Sequence, residues 1–548
     1  MILKRWFLRP TNSIAVAAVL VAVSSLASRV LGVVRDRILA GQFGAGQTLD
    51  WYYSAFRIPD LIFNLIVLGA LSAGFIPVFA GMISNMKCDE GGCYSNNENR
   101  AAWDLANNLL NVLLLLLAGL SLLGFIFAPQ VIAVIAPGFS GEAKTVTVQL
   151  TRIMFLSPIF LGISGILGGI LQSFKNFVVY SLTPILYNLG IIIGALVFVP
   201  IWGVYGLAWG VVLGAAMHML IQIPVIYQLG FRYRWFLSLK DANLRRIAAM
   251  MVPRTLSLAI TQINLVVITV IASRLESGSL TVFNFANNLQ SFPIGIFGIS
   301  FAIAAFPLLA ESASKPAELV KHFSSTFRQI LFFMIPATVM FLTLRAQIVR
   351  VLLGSGSFSW DNTVLTMNTL GFFTISLFAQ ALIPLLTRVF YARQDSRTPF
   401  YIGLFTVGAN IFLSLWLSPK MGVAGLALAF SLGNLLNFVL LWLWLRTSLG
   451  NLDQAMIWRS TFKLSIAALA AGAAVQVIKQ LIWPFVDMTR FSGIFLQGLS
   501  AGLIGLAVYL VFCRFLGSPE FFEFWQSLSR RMPLKNIKLG DQGEARGL

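Results

Sequence analysis

Ser28-Arg29-Val30-Leu31-Gly32-Val33-Val34-Arg35-Asp36-Arg37 closes an otherwise apolar run that begins near Ser13. The run is long enough to cross a bilayer core, so these charges lie within or at the end of a membrane helix. A charged side chain at the centre of such a helix costs about 2.5–3.5 kcal/mol on insertion scales. Arg29 has apolar neighbours and lies well inside the run, so it faces protein or a wet cavity rather than lipid. A cationic cavity inside a membrane protein points to an anionic cargo.

The remainder of the chain has the same character. Apolar residues make up 58% of its 548 and charged residues only 11%, with a mean hydropathy of +0.83, whereas soluble chains carry about a quarter charged residues. Runs long enough to span recur at roughly 13–38, 52–84, 104–128, 146–173, 179–199, 203–228, 244–273, 280–310, 324–344, 363–391, 399–418, 421–445, 460–482 and 492–515, about 14 in all. The expected fold class is an all-α polytopic membrane protein with two six-helix lobes and two C-terminal helices. With Lys4, Arg5 and Arg9 inside, basic residues of the even-numbered connections and tail outnumber the outer ones by roughly three to one. Inner connections carry Lys175, Arg232, Arg234, Lys240, Arg245, Arg246 and Arg328 among others, and the tail adds Arg514, Arg530, Arg531, Lys535, Lys538 and Arg546. The net charge of +19 is therefore topology rather than a nucleic-acid site, and both termini are expected in the cytoplasm. The first apolar stretch is too long, and too charged in its second half, to be a cleavable signal peptide.

Enzyme chemistry finds no support. There is no His-Glu-x-x-His, Gly-x-Ser-x-Gly or Gly-x4-Gly-Lys-Ser/Thr motif, so the chain is not a self-contained ATP-driven pump. No cofactor is expected, and membrane potential or a monovalent ion remains as the energy source. Cys88 and Cys93 flank Asp89-Glu90-Gly91-Gly92, which reads as a solvated loop. The pair lacks further metal ligands, and a reducing compartment disfavours a disulfide. His218 and His322 are isolated, and packing or loop positions suit them better than proton relay.

The chain repeats itself. Thr183-Pro184, Asn188, Gly203, Gly206-Leu207-Ala208 and Leu213-Gly214 are followed by Thr398-Pro399, Asn410, Gly422, Gly425-Leu426-Ala427 and Leu432-Gly433. The Thr-Pro pairs are offset by 215 and the glycines by 219, so a small insertion is expected near Ser418-Pro419. The second and eighth spans also match in outline, with Pro59 and Pro77 against Pro293 and Pro307. A repeat of six spans gives both copies one orientation, as in two-lobed transporters. The expected division is 1–230 (spans 1–6), 231–448 (spans 7–12), 449–517 (spans 13 and 14) and a tail, 518–548. In the tail, Phe521, Phe522, Phe524 and Trp525 precede Arg530-Arg531, as in a helix lying on the inner membrane surface; from Gly540 apolar residues disappear.

Polar residues concentrate on spans 1, 2, 7 and 8. Arg29 and Asp36, seven apart, share nearly one face of the first span, and Gly32 between them permits a bend. The connection Gly41-Gln42-Phe43-Gly44-Ala45-Gly46 reads as short and flexible, and Asp50 follows it. Arg57 and Asp60, three apart, are able to pair. Arg254 follows Pro253 in span 7, Arg274 ends that span, and Asn284, Asn287 and Asn288 enter span 8. A central cleft shared by the two lobes follows. The alternatives are that Arg35, Arg37 and Arg274 snorkel to an interface, and that Arg57 with Asp60 is purely structural.

These residues resemble a known family. Ser28-Arg29-Val30-Leu31-Gly32 with Arg35-Asp36, Phe43-Gly44-Ala45-Gly46 and Asp50 are similar to the opening of the MurJ (MviN) family. Phe56-Arg57-Ile58-Pro59-Asp60, Phe75-Ile76-Pro77-Val78-Phe79, Pro253-Arg254-Thr255-Leu256, Gln262-Ile263-Asn264 and Phe292-Pro293 continue the pattern. The family belongs to the multidrug/oligosaccharidyl-lipid/polysaccharide exporter superfamily. The resemblance implies a flippase of the bacterial cytoplasmic (inner) membrane. Its cargo would be lipid II, the undecaprenyl-diphosphate-linked peptidoglycan precursor, moved from the inner to the outer leaflet. It implies that Arg29, Arg35, Asp50 and Arg254 line the cargo site, with a groove for the polyprenyl tail at spans 13 and 14. The chain departs from the family at Phe63-Asn64, where relatives carry Arg-Arg, at Leu68, where they carry Glu, and at Asn287-Asn288, where they carry Asp-Arg. Some cavity cations are then missing, and Arg57 or Arg274 is expected to compensate. Arg57 and Asn288 join the expected cargo-binding set, with Gly32, Asp36, Pro59 and Arg274 as gating or structural positions. Expected partners are lipid II, membrane lipids and cell-wall synthesis enzymes, around a monomer.

The resulting expectation is alternating access. Arginine forks replace the hydration of the diphosphate with bidentate hydrogen bonds, the tail stays in an apolar groove, and the emptied positive cavity is drawn back by the membrane potential. A cation-coupled multidrug exporter, a flippase for another polyprenyl-linked glycan and a non-transporting scaffold are the competing classes.

Overall fold

The computed structural model describes residues 14–68, 74–83, 88–89, 92–93 and 97–531. The described chain is mostly helical, with turns and an irregular segment at 231–240, and includes a short antiparallel ladder pairing Cys88 with Cys93 and Asp89 with Gly92. The stretch that reads as a solvated loop in the sequence thus contains a pair of two-residue strands. The run from Gly540, and the side chain of Arg254, lie outside the described residues.

The helices are α1 (Ile14–Phe43), α2 (Gln47–Ile62), α3 (Ile76–Ile83), α4 (Asn97–Ile126), α5 (Ala128–Ile135), α6 (Gly141–Met154), α7 (Ser157–Ser173) and α8 (Phe177–Ile193). They continue with α9 (Val199–Trp202), α10 (Tyr205–Leu220), α11 (Ile223–Gln228), α12 (Ala242–Ala272), α13 (Ser279–Pro293), α14 (Ser300–Glu311), α15 (Pro316–Thr343) and α16 (Arg345–Leu353). The last are α17 (Trp360–Thr374), α18 (Leu377–Ala392), α19 (Arg397–Met421), α20 (Val423–Leu449), α21 (Gln454–Ile482), α22 (Phe491–Phe515) and α23 (Pro519–Arg531). Among the described residues 10 helices are long and apolar enough to cross a membrane, or 11 if α17 and α18, bent by 44°, form one span. The protein is a multi-pass helical membrane protein.

Two features match between the halves of the sequence. After Pro59 the helix widens into a π-helical stretch, Phe63–Leu68; after Pro293 it does so again at Ile294–Ile299. Such widened turns accommodate an extra residue within a continuous run. The turns at Gly203 and Gly422 share a left-handed conformation, with φ of 60° and 59°, which glycine adopts without steric cost. Three residues on, Gly206 abuts the backbone of Phe198 and Val199, and Gly425 abuts that of Leu417 and Ser418. All these pairs keep the 219 offset. The change from 215 therefore falls before Leu417 rather than at Ser418-Pro419.

The described residues form two compact units. One gathers the chain up to Phe292 with Val349–Phe373 and Phe400–Gly433. Its core contains Phe75, Phe79, Leu109, Leu113, Ile170 and Phe231. The other gathers Pro293–Ile348, Thr374–Pro399 and the chain from Asn434. In that unit the Tyr509 hydroxyl donates to the carbonyl of Phe332 at 2.7 Å. A buried ion pair, Arg328 with Glu520 at 2.5 Å, joins α15 to α23. Hydroxyls of Ser460 and Ser518 each donate to Glu520 at 2.7 Å, so this carboxylate has neighbours on both oxygens. Phe521 of α23 is buried while Phe522, Phe524 and Trp525 stay exposed.

Candidate functional site

The first unit holds a cavity of about 330 Å³, of mixed polar and apolar lining, walled by α1, α2, α7, α8, α10 and α13. Arg35, Arg57, Asp60 and Asn288 line it, with Tyr52, Tyr53, Tyr187 and His218. The sequence assembles it by placing polar residues on helices that are otherwise apolar, so the only place left for them is the interior.

Arg35 is held from two sides. Its Nε and Nη2 donate to Oδ1 of Asp36 at 3.0 and 2.8 Å, and Nη1 donates to Oδ1 of Asn188 at 3.0 Å. The second oxygen of Asp36 accepts from Asn288 at 2.8 Å. A continuous chain, Asn188–Arg35–Asp36–Asn288, thus links α8, α1 and α13. Asn188 also donates to the carbonyl and hydroxyl oxygens of Ser28, which fixes α8 along α1. In the later half of the sequence Asn410 of α19 donates to Asn264 of α12 at 2.7 Å. The recurrent asparagine therefore plays one role twice, tying α8 to α1 and α19 to α12.

Arg57 is buried, and its Nε donates to the hydroxyl of Thr269 on α12 at 2.9 Å. Among the described residues no direct ion pair joins it to Asp60, although both line the cavity. A buried guanidinium whose hydrogen-bonded partner is neutral is energetically exposed to any anion that can reach it. The described lining is less one-sidedly positive than the arginine-rich first span suggests, because Asp36 and Asp60 accompany Arg35 and Arg57.

Other expected site residues lie elsewhere. Asp50 is buried and serves as a cap for α13 from a distant helix. Its Oδ2 accepts from the amide of Gly278 at 2.7 Å, and its Oδ1 accepts from the amide and hydroxyl of Thr281 at 2.8 and 2.6 Å. The first-turn amides of a helix have no partner within it, and here a carboxylate supplies one. Arg29 is half-buried and has no hydrogen bond or ion pair among the described residues. Arg274 is exposed, just past α12. Pro59 is buried in α2. Helix α1 runs unbroken through Gly32, where an added Cβ would come within 3.9 Å of Asn188. Arg37 donates to the carbonyl of Val351.

The Gly41–Gly46 turn is tightly held rather than loose. The amide of Ser357 donates to the carbonyl of Gly41 at 2.8 Å. Gly44 has a φ of +66°, and a Cβ there would lie 2.8 Å from the carbonyl oxygen of Ser357. Gly278, at φ +91°, packs against the carbonyl of Ala45. Glycine is required at both positions by backbone conformation and by close approach.

Nothing in the sequence signals that Tyr52, Tyr53 and Tyr187 line the cavity, and His218, isolated in sequence, joins them there. The histidine ring lies 2.5 Å from the hydroxyl of Ser164 through Nδ1 and edge-on to Tyr187. Asn188 was visible only as a repeat marker. Its recurrence as Asn410, between a Thr-Pro and a glycine pair, was the available signal.

The family model for lipid II flippase MurJ matches residues 39–495. The chain is 30% identical over 432 residues to the lipid II flippase MurJ of Burkholderia cenocepacia, covering 77% of this chain and 82% of that one. It is 29% identical over 533 residues to the probable lipid II flippase MurJ of Rhizobium tropici, covering 93% and 96%. Among solved structures, a lipid II flippase MurJ in an inward closed conformation matches with a TM-score of 0.73 at 23% identity, over 93% of this chain and 100% of that one. An inward-facing multidrug resistance MATE family transporter of the MOP superfamily matches at 0.65 and 16% identity, over 78% and 96%. The two structural likenesses concern the fold, and the family match covers most of the sequence, including every described residue of the cavity but Arg35. The chain belongs to the lipid II flippase MurJ family.

Proposed function

We propose that this protein flips lipid II across the bacterial inner membrane by alternating access, with the cavity at Arg35 and Arg57 receiving the diphosphate. The observation that carries this reading is the buried Arg57, hydrogen-bonded to a neutral hydroxyl and facing the same cavity as Arg35. Crossing the apolar core is prohibitive for a bare diphosphate. Two guanidinium forks replace its water with charge-assisted hydrogen bonds, and family membership supplies the chemical class of the cargo.

In this scheme binding is an exchange of partners. The diphosphate displaces Asp36 from Arg35, and Asp36 keeps its hydrogen bond from Asn288. Arg29 and Arg254 add positive charge to the proposed path, and Asn288 orients the displaced carboxylate. Asp50 acts as a latch on the outer side, where the Gly41–Gly46 turn meets α13 and the Ser355–Ser357 segment. Opening to the outer leaflet breaks this latch, and the cargo leaves sideways while its tail follows a groove at the last two spans.

The finer architecture belongs to the same proposal: 14 spans in two six-span lobes with boundaries near residues 230 and 448, two further spans to about 517, and an interfacial tail helix. Both termini are cytoplasmic, the protein works as a monomer beside cell-wall synthesis enzymes, and membrane potential or a monovalent ion drives the return.

The test is depletion complementation in a bacterium lacking its own flippase, with outer-leaflet lipid II measured directly. The parent chain restores it. Arg57→Ala and Arg35→Ala fail while still accumulating in the membrane. Full restoration by both variants overturns the proposed cargo site.

A further inference from the structure

The segment 231–240, between α11 and α12, has no regular secondary structure, yet its backbone is firmly held. The holders are three buried asparagines of α4. Asn107 accepts from the amide of Arg234 at 2.9 Å and donates to the carbonyl of Arg232 at 3.1 Å. Asn108 accepts from the amide of Ser238 and donates to its carbonyl, both at 2.8 Å. Asn111 donates to the carbonyls of Arg234 and Phe236 at 3.0 and 2.8 Å. Every one of these bonds uses an even-numbered residue of the segment. That alternation is the signature of an extended strand with one edge paired.

The opposite edge is open. The backbone groups of Tyr233, Trp235 and Leu237 form no backbone hydrogen bond among the described residues. Their side chains are 54%, 63% and 45% exposed, although all three are large and apolar or aromatic. Arg232 and Arg234 alternate with them and are exposed as well. The guanidinium of Arg232 stacks on Tyr227 at 3.6 Å. Asp241, the nearest acid in the sequence, caps α12 through Asn243 and Leu244, so it does not neutralise the strap.

Two physical constraints decide what covers this surface. An unpaired strand edge has no place in hydrocarbon, where its amides and carbonyls stay unsatisfied. Aromatic rings and leucines exposed in a row are equally out of place in bulk water. The headgroup layer meets both demands: it hydrates backbone, accommodates Tyr and Trp rings, and offers phosphates to arginine. The basic residues continue through Lys240, Arg245 and Arg246, which fixes the sign of the lipid.

We propose that residues 231–240 form an interfacial strap that binds the phosphate headgroups of anionic lipids in the inner leaflet. The asparagine ladder keeps its backbone extended, Arg232 and Arg234 engage phosphate, and Tyr233 and Trp235 seat in the headgroup layer. The strap thereby anchors the connection between the sixth and seventh spans to the membrane surface.

The test uses the full chain carrying a photoreactive benzoylphenylalanine in place of Trp235, reconstituted in mixed phosphatidylglycerol and phosphatidylcholine vesicles. Crosslinked lipid is identified by mass spectrometry. Phosphatidylglycerol adducts are expected to exceed their bilayer share by about tenfold, given the attraction of clustered basic residues to anionic lipid. The double variant Arg232→Ala/Arg234→Ala brings adducts back to the bilayer share, while Arg232→Lys/Arg234→Lys retains the excess. If the alanine variant does not purify as a monodisperse protein, raised salt applied to the parent serves instead and is expected to erase the excess. Adducts at the bilayer share in the parent, an adduct to protein alone, or an excess indifferent to both the alanines and salt overturn the proposal. None of these readouts depends on flipping, so the outcome is separate from that of the cargo assignment.

Discussion

Asp50 and Thr281, 231 residues apart, are joined twice: amide and hydroxyl of Thr281 both donate to one carboxylate oxygen of Asp50. Helix α2 thereby caps the start of α13. Removing the carboxylate strands the amides of Gly278 and Thr281, each of which costs about 1–3 kcal/mol when left unsatisfied in a buried setting. Asp50→Ala is expected to lower the thermal midpoint of the purified protein, and Asp50→Asn, which keeps an acceptor, to lower it less. A cysteine placed at Thr281 in an otherwise cysteine-free chain should gain reactivity toward an impermeant outer reagent in the Asp50→Ala background. Equal reactivity in both backgrounds would remove the latch from the mechanism.

The Arg35–Asp36 pair separates transport from stability. Arg35→Ala leaves the Asp36 carboxylate with Asn288 alone, and loss of one partner of a partly buried ion pair destabilises as well as inactivates. The double variant Arg35→Ala/Asp36→Asn should recover the melting midpoint without recovering outer-leaflet lipid II. Arg35→Lys should stay impaired, since an ammonium has no planar fork to grip both Asn188 and a phosphate. Recovery of flipping in the double variant counts against ion exchange at this site.

Thr269 supports Arg57, so Thr269→Val probes how the guanidinium is poised. Losing one hydrogen bond to a charged group costs about 1.5–3 kcal/mol. Flipping is expected to fall by roughly tenfold or more, with Thr269→Ser near the parent rate. A valine variant with parental flipping shows that Arg57 needs no support from α12.

Acid should release the tail helix. Burial pushes the Glu520 carboxyl upward, but hydrogen bonds from Ser460, Ser518, its own backbone amide and Arg328 outweigh it and leave it below its ordinary 4.5. A depressed carboxylate contributes stability in full above its unfolded value, and that contribution disappears as pH falls through the folded one. Hydrogen-exchange protection of the stretch around Phe521 should hold from neutral pH down to the ordinary glutamate value and decline below it. Glu520→Gln should lower protection at neutral pH and flatten the acid step. A step that persists in this variant belongs to another group.

Much of this architecture is legible in the chain, because apolar run length and buried charge are local properties. The membrane class, the shared proline pairs Pro59/Pro77 and Pro293/Pro307 and the 219 offset are read from residues close together in sequence, whereas the π-helical widening after Pro59 and Pro293 is not. Nor is the destination of each polar side chain. Asp50 is a cargo ligand only by what the family resemblance implies, and its partners are supplied by the Gly278–Thr281 turn. Arg29 and Asp36 share a helical face seven residues apart, but Asp36 pairs with its immediate neighbour because an arginine is long enough to fold back along its own helix. His218 is isolated in sequence and becomes part of a cavity wall only when α7 and α10 bring Ser164 to it.

The adjacency of Arg35 and Asp36 has an electrical consequence. A cation and its counter-ion on one helix travel together, so their joint passage through the transmembrane field moves almost no net charge. An applied voltage therefore gains little purchase on the empty site through that pair. On the proposed voltage-driven return stroke, the gating charge falls to guanidiniums without such a companion. Of these, Arg57 is hydrogen-bonded to Thr269, whereas Arg29 makes no hydrogen bond or ion pair among the described residues. Current or flux recorded against imposed potential should lose its steepness when Arg29 is neutralised and keep it when Arg35 and Asp36 are neutralised together.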